Sequence, residues 1–558
     1  MISAKRRILD AALKAYLRIH WLMGARRLRA QARNPQAVQD QVLRDIVRAN
    51  RITNFGREYG FSGIASYEDF RAAVPVCDFE RLRPYIEAQQ AGEPALTVEE
   101  PLCYLRTSGT TNQPKDIPLT ASHLHGLRKL QRLSVARQLA LVPGAFDGSI
   151  LTFTSPSQEG LLPNGKSYGA ASGVVAASTP SIVRDKFVLP ASVLAISDSR
   201  VKYLLALRLA LVSPHVSYVG AANSATLLTL ARLYRENEDA LLADLRSGGF
   251  FLASHVPQEV MHSLQDRLGP VPGRATDLER VRANTSSRRL RDLFPGVKLV
   301  ITWTCASAGT AVKALKEELA PSTRILELGY MASEFRGTVT LGNRGGSGYP
   351  TLGTHFFEFA ERDEWDSGHP RFLPLSQIKK GADYYVIVTT PSGLYRYFIN
   401  DLVRVTGFWY NTPLLKFVQK GKGVTNITGE KLYESQVILA VNAALDEYGV
   451  CSRFFTVLAD EARLQYTLYI EQAQETQASV NALAGCVDAK LMALNVEFHS
   501  KRESARLQPL QGAWLRSGTF EILKHACVAK GQREGQFKPP VLAYSRQVDF
   551  DFGAHRLP

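Results

Sequence analysis

The chain has 558 residues, 45% of them apolar and 21% charged, with 67 Lys+Arg against 52 Asp+Glu and a formal charge of +15. Such a composition can bury large cores, which excludes wholesale disorder, and the length suggests about three to five structural units. The excess charge is concentrated: residues 1–33 hold nine basic side chains against the single Asp10, a net +8, so a nucleic-acid binder with basic surface spread over the whole fold is disfavoured.

The six cysteines (Cys77, Cys103, Cys305, Cys451, Cys486, Cys527) are scattered, with no CxxC pair and no histidine at zinc spacing. That argues against a disulfide scaffold or structural zinc site and fits a reducing compartment. The longest apolar stretches, such as 203–212 with its Arg208, are too short and too charged to span a bilayer, and the N-terminus is too charged for a secretory leader. The expectation is a soluble, cytoplasmic protein.

In chain order, residues 4–23 read as an amphipathic helix. Arg7, Asp10, Lys14 and Arg18 share one face, and Ile8, Leu9, Leu13, Tyr16, Leu17, Trp21 and Leu22 fill the rest. A second helical pattern covers 38–49 and runs into the Gly- and aromatic-rich NFGREYGF at 54–61. At 107–115, TSGTTNQPK sets the hydroxyls of Thr107, Ser108, Thr110 and Thr111 around Gly109. Without a Cβ, that glycine lets backbone amides approach a ligand, so the loop can cradle phosphate oxygens. It lacks the Walker spacing, and an ordinary Ser/Thr-rich turn accounts for it equally.

Further on, β-rich runs at 149–155, 298–304 and 384–390 alternate with helical ones at 222–246 and 309–319, which predicts α/β layers with partly parallel sheets. YMASE at 330–334 offers a ring for stacking, the Ser333 hydroxyl and the Glu334 carboxylate, a donor for Mg²⁺; a strand end with a surface Glu reads the same way. LYRYFIND at 394–401 sets Asp401 among apolar residues, where burial would demand partners. Two ribose hydroxyls would serve, and so would a turn that Asp401 caps.

FVQKGKGVTN at 417–426 places two close glycines among charged residues, the pattern of a hinge. Beyond it come helix 433–447, strands 453–459 and 464–471, helix 478–494, further strands and helix 518–530. The expected class is α/β: a large N-terminal body of mixed sheets and helices over 1–419, and a small α+β C-terminal lobe over 420–558 on the hinge.

Taken together and in this order, TSGTTNQPK, YMASE and LYRYFIND with VTGF at 405–408 resemble an adenylate-forming enzyme, and more narrowly the Gretchen Hagen Three family of acyl-acid amido synthetases. NFGREYGF, YEDF at 67–70 and Val74-Pro75 are similar to that family's N-terminal signature. RSGTFEIL at 516–523 and GQFKP at 535–539 are similar to its C-terminal one, so coverage runs from about residue 40 to 545. The +8 cluster lies ahead of that region.

The resemblance implies two half-reactions: a carboxylate attacks the α-phosphate of ATP to give acyl-AMP, and an amine, typically of an amino acid, then displaces AMP. Joining two anions calls for neutralisation and alignment more than for a strong base. By the same resemblance Thr107, Ser108, Gly109, Thr110 and Thr111 hold phosphates, and Tyr330 lies against adenine with Ser333 beside it. Glu334 binds Mg²⁺, Asp401 takes the ribose hydroxyls and Lys420 joins the nucleotide set. Lys538, with Ser108 and Thr110, acts on the phosphate during adenylation, the alternative for Lys538 being a solvated surface lysine. The hinge lets the lobe turn between half-reactions.

For the acyl pocket, TSPSQE at 154–159 and GKSYGAASG at 165–173 are candidates, because small residues leave room for a ligand; a tight, mobile loop accounts for them equally. His123, His125 and His355 are left as structural residues. The sequence departs from plant members at Phe398 and Asn400, where Arg and Gly are usual, at Asn112-Gln113, and over Trp303–Gly309, which predicts a divergent, bacterial member and puts a hormone substrate in question. Partners are then a small carboxylic acid and an amine, with no nucleic acid; the basic N-terminal helix suits a membrane surface or an acidic carrier protein, and a helix packed on its own domain with its basic residues in solvent reads the same way. The readings that compete are transfer of the acyl group to a thiol of coenzyme A or a carrier protein, and a non-catalytic nucleotide-binding relative.

Overall fold

The structure is a computed structural model that describes residues 4–107, 115–177, 179, 181–285, 287–305, 309–342, 345–366, 370–421, 423–473, 476–530, 532 and 537–557. It divides into two compact units, the first formed by residues 1–222, 229–303 and 319–417, the second by 223–228, 304–318 and 418–558.

In the first unit the N-terminal helix runs over Ala4–Arg33, past its expected end at 23. Gly24 does not break it, because it lies against the Ala121–Leu141 helix, where a Cβ would come within 2.5 Å of Leu133 Cδ1. Asn34 then caps the Pro35–Ala49 helix, which buries Leu43, Ile46 and Val47. The aromatic stretch that follows is core: Phe55 stacks on Tyr395 with centroids 4.7 Å apart and meets Tyr85 edge-on at 5.1 Å.

Three sheets carry the rest of this unit. A parallel sheet orders Ser149–Phe153, Val216–Ala221, Leu299–Thr302 and Arg324–Glu327 side by side. A second sheet pairs Cys103–Thr107 antiparallel with Lys115–Leu119 and parallel with Ser167–Gly169. The third has seven strands, in the order Phe372–Pro374, Phe356–Glu361, Asp383–Thr389, Tyr397–Trp409, Thr412–Lys420, Gly348–Pro350, Thr338–Thr340. Its described pairings are antiparallel.

The single helix expected over 222–246 is two, Ser224–Glu236 and Glu238–Ser247. Asn237 separates them: its side chain donates to the Leu233 carbonyl at 2.8 Å, competing with the helical ladder.

The second unit is α+β. Its sheet orders Gln511–Leu515, Gln465–Gln472, Ser452–Asp460 and Leu542–Tyr544, an antiparallel central pair flanked by parallel neighbours. Helices Glu434–Glu447 and Val480–Leu494 bury Val437, Val441, Leu483 and Leu491 in a core shared with the sheet's Leu468 and Ile470. Cys77, Cys103, Cys451, Cys486 and Cys527 stand outside any disulfide. Among the described residues no helix is long and apolar enough to cross a membrane.

Candidate functional site

The phosphate-loop candidate is anchored at both ends. Thr107, half-buried, ends one strand and faces Lys115, which starts the next. Behind them Arg106 makes a two-pronged pair with Asp116 at 2.7 and 2.8 Å, and its guanidinium lies 3.5 Å from the Tyr168 ring centroid. Ser108, Gly109, Thr110 and Thr111 lie outside the described residues.

The YMASE segment is a tight turn. Met331 and Arg336 bridge as an antiparallel pair, and Ala332 N–H donates to the Phe335 carbonyl at 2.9 Å. This leaves Ser333 and Glu334 half-buried at the tip. Arg336 ties the turn to the Ala121–Leu141 helix by donating to Gln131 Oε1 at 2.7 Å and Ser134 Oγ at 2.8 Å. Burial pushes that guanidinium down to about 10. Upstream, the Trp303 indole donates to the Gly329 carbonyl at 3.2 Å, so Trp303 braces the residue before Tyr330.

Tyr330 joins this motif to the next. Its hydroxyl donates to Asp401 Oδ2 at 2.8 Å, and its ring stacks on Phe417 with centroids 5.6 Å apart. The side chain is 7% exposed. Gly337 makes room for it, since a Cβ there would come within 2.4 Å of Tyr330 Cδ1. Burial, then the Asp401 and Glu334 charges, hold the phenol well above its ordinary range, so it stays a donor. Tyr397, raised by burial and then by Glu334, Asp78 and Asp401, stands near the same carboxylates.

Asp401 is buried on the Tyr397–Trp409 strand because the strand bulges beneath it. Tyr385 pairs with Leu402 and Ile387 with Phe398, so extra residues are accommodated between them. Asn400 takes φ 59°, a left-handed conformation that Gly or Asn adopts at least cost. Asn400 in place of glycine therefore keeps the turn. The other departure, Phe398, stacks on Trp365 at 4.1 Å.

Residues that the motif reading missed sit behind the site. Arg396 forms a buried pair with Glu358 at 2.8 Å and donates to the Val74 carbonyl at 2.6 Å, while Tyr67 donates to Glu358 Oε1 at 3.1 Å. Burial pushes the Glu358 carboxyl up, and Arg396 opposes it. The signal was the Arg of LYRY, a charge between two apolar-faced tyrosines. Tyr395 donates to the Leu96 carbonyl at 2.6 Å. The motif thus clamps the N-terminal aromatic stretch to the strand that carries Asp401.

The two acyl-pocket candidates pack on each other. Ala170 N–H donates to the Pro156 carbonyl at 3.0 Å, and Cβ atoms at Gly169 and Gly173 would come within 2.0 and 2.3 Å of the Ser157 and Ser155 carbonyl oxygens. The small residues are used for backbone contact.

Lys420 and Lys538 belong to the second unit, and both are exposed. Within that unit Glu434 connects their surroundings. Its N–H donates to the Gly423 carbonyl at 2.7 Å, and a Cβ at Gly423 would come within 2.6 Å of its Oε2. Burial pushes the Glu434 carboxyl up to about 7, with the Lys538 charge acting against it.

Among the described residues no group of three or more His, Cys, Asp or Glu side chains could hold a metal on its own. A Mg²⁺ ion bound largely through substrate phosphates needs only one or two protein carboxylates. Glu334, half-buried at its turn tip, fits that donor chemistry.

Comparison with known proteins places these observations. Three family models match in succession: the GH3 family N-terminal domain over residues 24–325, the central domain over 349–420 and the C-terminal domain over 435–547. The likeness therefore reaches back to residue 24 rather than to about 40. An Arabidopsis thaliana indole-3-acetic acid-amido synthetase, GH3.15, is 26% identical over 541 residues, covering 91% of this chain and 90% of that protein. The 4-substituted benzoates-glutamate ligase GH3.12 of the same plant is 25% identical over 540 residues, covering 91% and 92%. In fold, the solved GH3.15 acyl acid amido synthetase superposes with a TM-score of 0.83 at 23% identity, covering 95% of each chain. A 2-hydroxyisobutyryl-CoA ligase in its postadenylation state reaches 0.55 at 13% identity, covering 93% and 90%.

Proposed function

Because this chain belongs to the GH3 family, we propose that its site activates a small carboxylic acid with ATP as acyl-AMP and passes the acyl group to the amine of an amino acid. It is an acyl-acid amido synthetase, a ligase of the adenylate-forming kind. The observation that carries the residue assignment is the Tyr330–Asp401 hydrogen bond of 2.8 Å, which joins two of the three motifs in one buried pair.

In this reading Tyr330 is a positioning residue: it donates to one carboxylate oxygen of Asp401 and so orients the carboxylate toward the ribose hydroxyls. With Tyr330 only 7% exposed, little of its ring is open to adenine, and Ser333 completes the nucleotide set. The 107–111 loop, with Thr107, Ser108, Gly109, Thr110 and Thr111, holds phosphate oxygens. Glu334 supplies the protein carboxylate for Mg²⁺, which neutralises phosphate charge when bound. Lys420 and Lys538 act from the lobe beginning at residue 420, Lys538 on the phosphate as charge develops there in adenylation.

ATP–pyrophosphate exchange screened over aryl, indolyl and fatty acids identifies the acid. Discharge of the adenylate is then followed with amino acids, coenzyme A and carrier protein in parallel. Amide formation with an amino acid is the expected outcome; discharge by thiols alone would sink the amide reading.

A further inference from the structure

The N-terminal helix has an outer face that the enzyme chemistry does not use. Its inner face is filled: Leu17, Ala25, Leu28 and Ala32 are buried, Gly24 meets Leu133, and Trp21 carries the Arg137 guanidinium 4.6 Å from its ring centroid. Asp10 and Lys14 are spent in ion pairs with Lys186 and Asp147. On the opposite face Tyr16, Ile19, Leu22 and Met23 are 47%, 57%, 65% and 67% exposed. Their spacing puts them on one side of the helix, with the small Ala12 and Ala15 beside them. Four large apolar side chains exposed together on two consecutive turns form a patch rather than the scattered exposure ordinary surfaces show.

The charge next to this patch is of one sign. Immediately after Met23 the same outer face presents Arg26, Arg27, Arg29 and Arg33, all exposed. The adjoining Ala121–Leu141 helix adds exposed Arg128, Lys129 and Arg132. Neither helix has an acidic residue over 11–33 or 121–141. The like charges reach one another: burial, then Arg27, then Arg132, lower the Lys129 ammonium. An uncompensated cluster of arginines and lysine needs counter-anions. The apolar patch beside it is the convex outer face of a helix, a shape suited to a flat apolar boundary.

We propose that the outer face of this helix docks on an anionic lipid bilayer, with Tyr16, Ile19, Leu22 and Met23 at the acyl boundary and the arginines of both helices on headgroup phosphates. An amphipathic helix lying in the interface plane combines these two terms, apolar burial and attraction to anionic lipid. Each Arg or Lys close to such a surface strengthens attachment by roughly five-fold. The helix stays on its own domain throughout, so attachment requires no refolding.

The test uses the full chain with extruded vesicles, either phosphatidylcholine alone or phosphatidylcholine mixed with phosphatidylglycerol, separated by sedimentation. The unaltered chain is expected to pellet with the mixed vesicles, to stay in solution with the neutral ones, and to be released by high salt. The exposed-face variant Ile19→Ser/Leu22→Ser/Met23→Ser and the charge variant Arg26→Glu/Arg27→Glu should each weaken binding by about ten-fold or more. Both should keep ATP–pyrophosphate exchange, which shows that they fold. The proposal is overturned if the unaltered chain ignores anionic vesicles or if the serine variant pellets equally. It is also overturned if the serine variant only converts a dimer into a monomer, since the face would then serve a second copy. Capture of an acidic carrier protein with vesicles left unbound would overturn it as well.

Discussion

At Asp401 one hydrogen bond, from Tyr330, joins two of the site's motifs. Its carboxylate is buried, and the phenol that bonds it is held protonated by the same burial. Asp401→Ala is expected to abolish measurable ATP–pyrophosphate exchange or raise the ATP requirement by at least about ten-fold, and unchanged exchange would refute the ribose contact. Tyr330→Phe leaves a buried carboxylate oxygen without its donor. The cost should be about 1–3 kcal/mol in urea unfolding, with a higher KM for ATP. A second buried chain runs from Ser392 to His123 at 2.8 Å, to His355 at 3.1 Å and on to Thr351 at 2.9 Å. Burial lowers His123 to about 4 and His355 well below its ordinary value. Both rings therefore stay neutral in the folded state, while the unfolded chain takes up protons below about 6.5. Stability should fall as pH drops from that point toward 4, by up to about 1.4 kcal/mol per pH unit for each ring. His123→Gln/His355→Gln keeps hydrogen-bonding groups and removes the titration, so the urea midpoint should lose that part of its pH slope.

At the scale of elements, the LYRY strand separates what could be read from what could not. Asp401 stood out as a carboxylate in an apolar run, and the structure does bury it. Arg396 and Tyr395 looked like part of the same ligand motif, yet they face away into the aromatic core and Glu358. Nothing in a one-dimensional pattern distinguishes a charge that binds substrate from one that staples two segments far apart in sequence. Glu358 itself lies in a run of phenylalanines that reads simply as strand. The N-terminal helix was legible by its periodicity, but its length was not, because Gly24 is a packing residue and not a stop signal. Asn237 was missed for the converse reason: a polar residue within a long helical pattern turned out to break it. The staple has its own consequence. Removing one member of a buried ion pair leaves the other uncompensated, so Arg396→Leu should cost about 3–5 kcal/mol in chemical unfolding. A cost below about 1 kcal/mol would show that the pair does not hold the strand in place.

For the whole molecule, the order of motifs along the chain carried the family, since fold and chemistry are both encoded in which segments occur and in what sequence. The three-dimensional neighbours of Lys538 were not legible, because they depend on a helix start more than a hundred residues earlier, at Glu434. This also bears on how two half-reactions can share one chain. If Lys538 acts only while pyrophosphate is being displaced, its charge matters in that step and not when an amine meets the finished adenylate. Lys538→Ala should then lower ATP–pyrophosphate exchange by about 100-fold or more, the scale of losing one charge aimed at a transition state. Supplied as a synthetic compound, the acyl-adenylate should still be discharged by the amino acid within about two-fold of the unaltered rate, because that step begins after the phosphate charge has been resolved. Equal losses in both assays would make Lys538 a structural partner of Glu434. No loss in either would return it to an ordinary surface lysine.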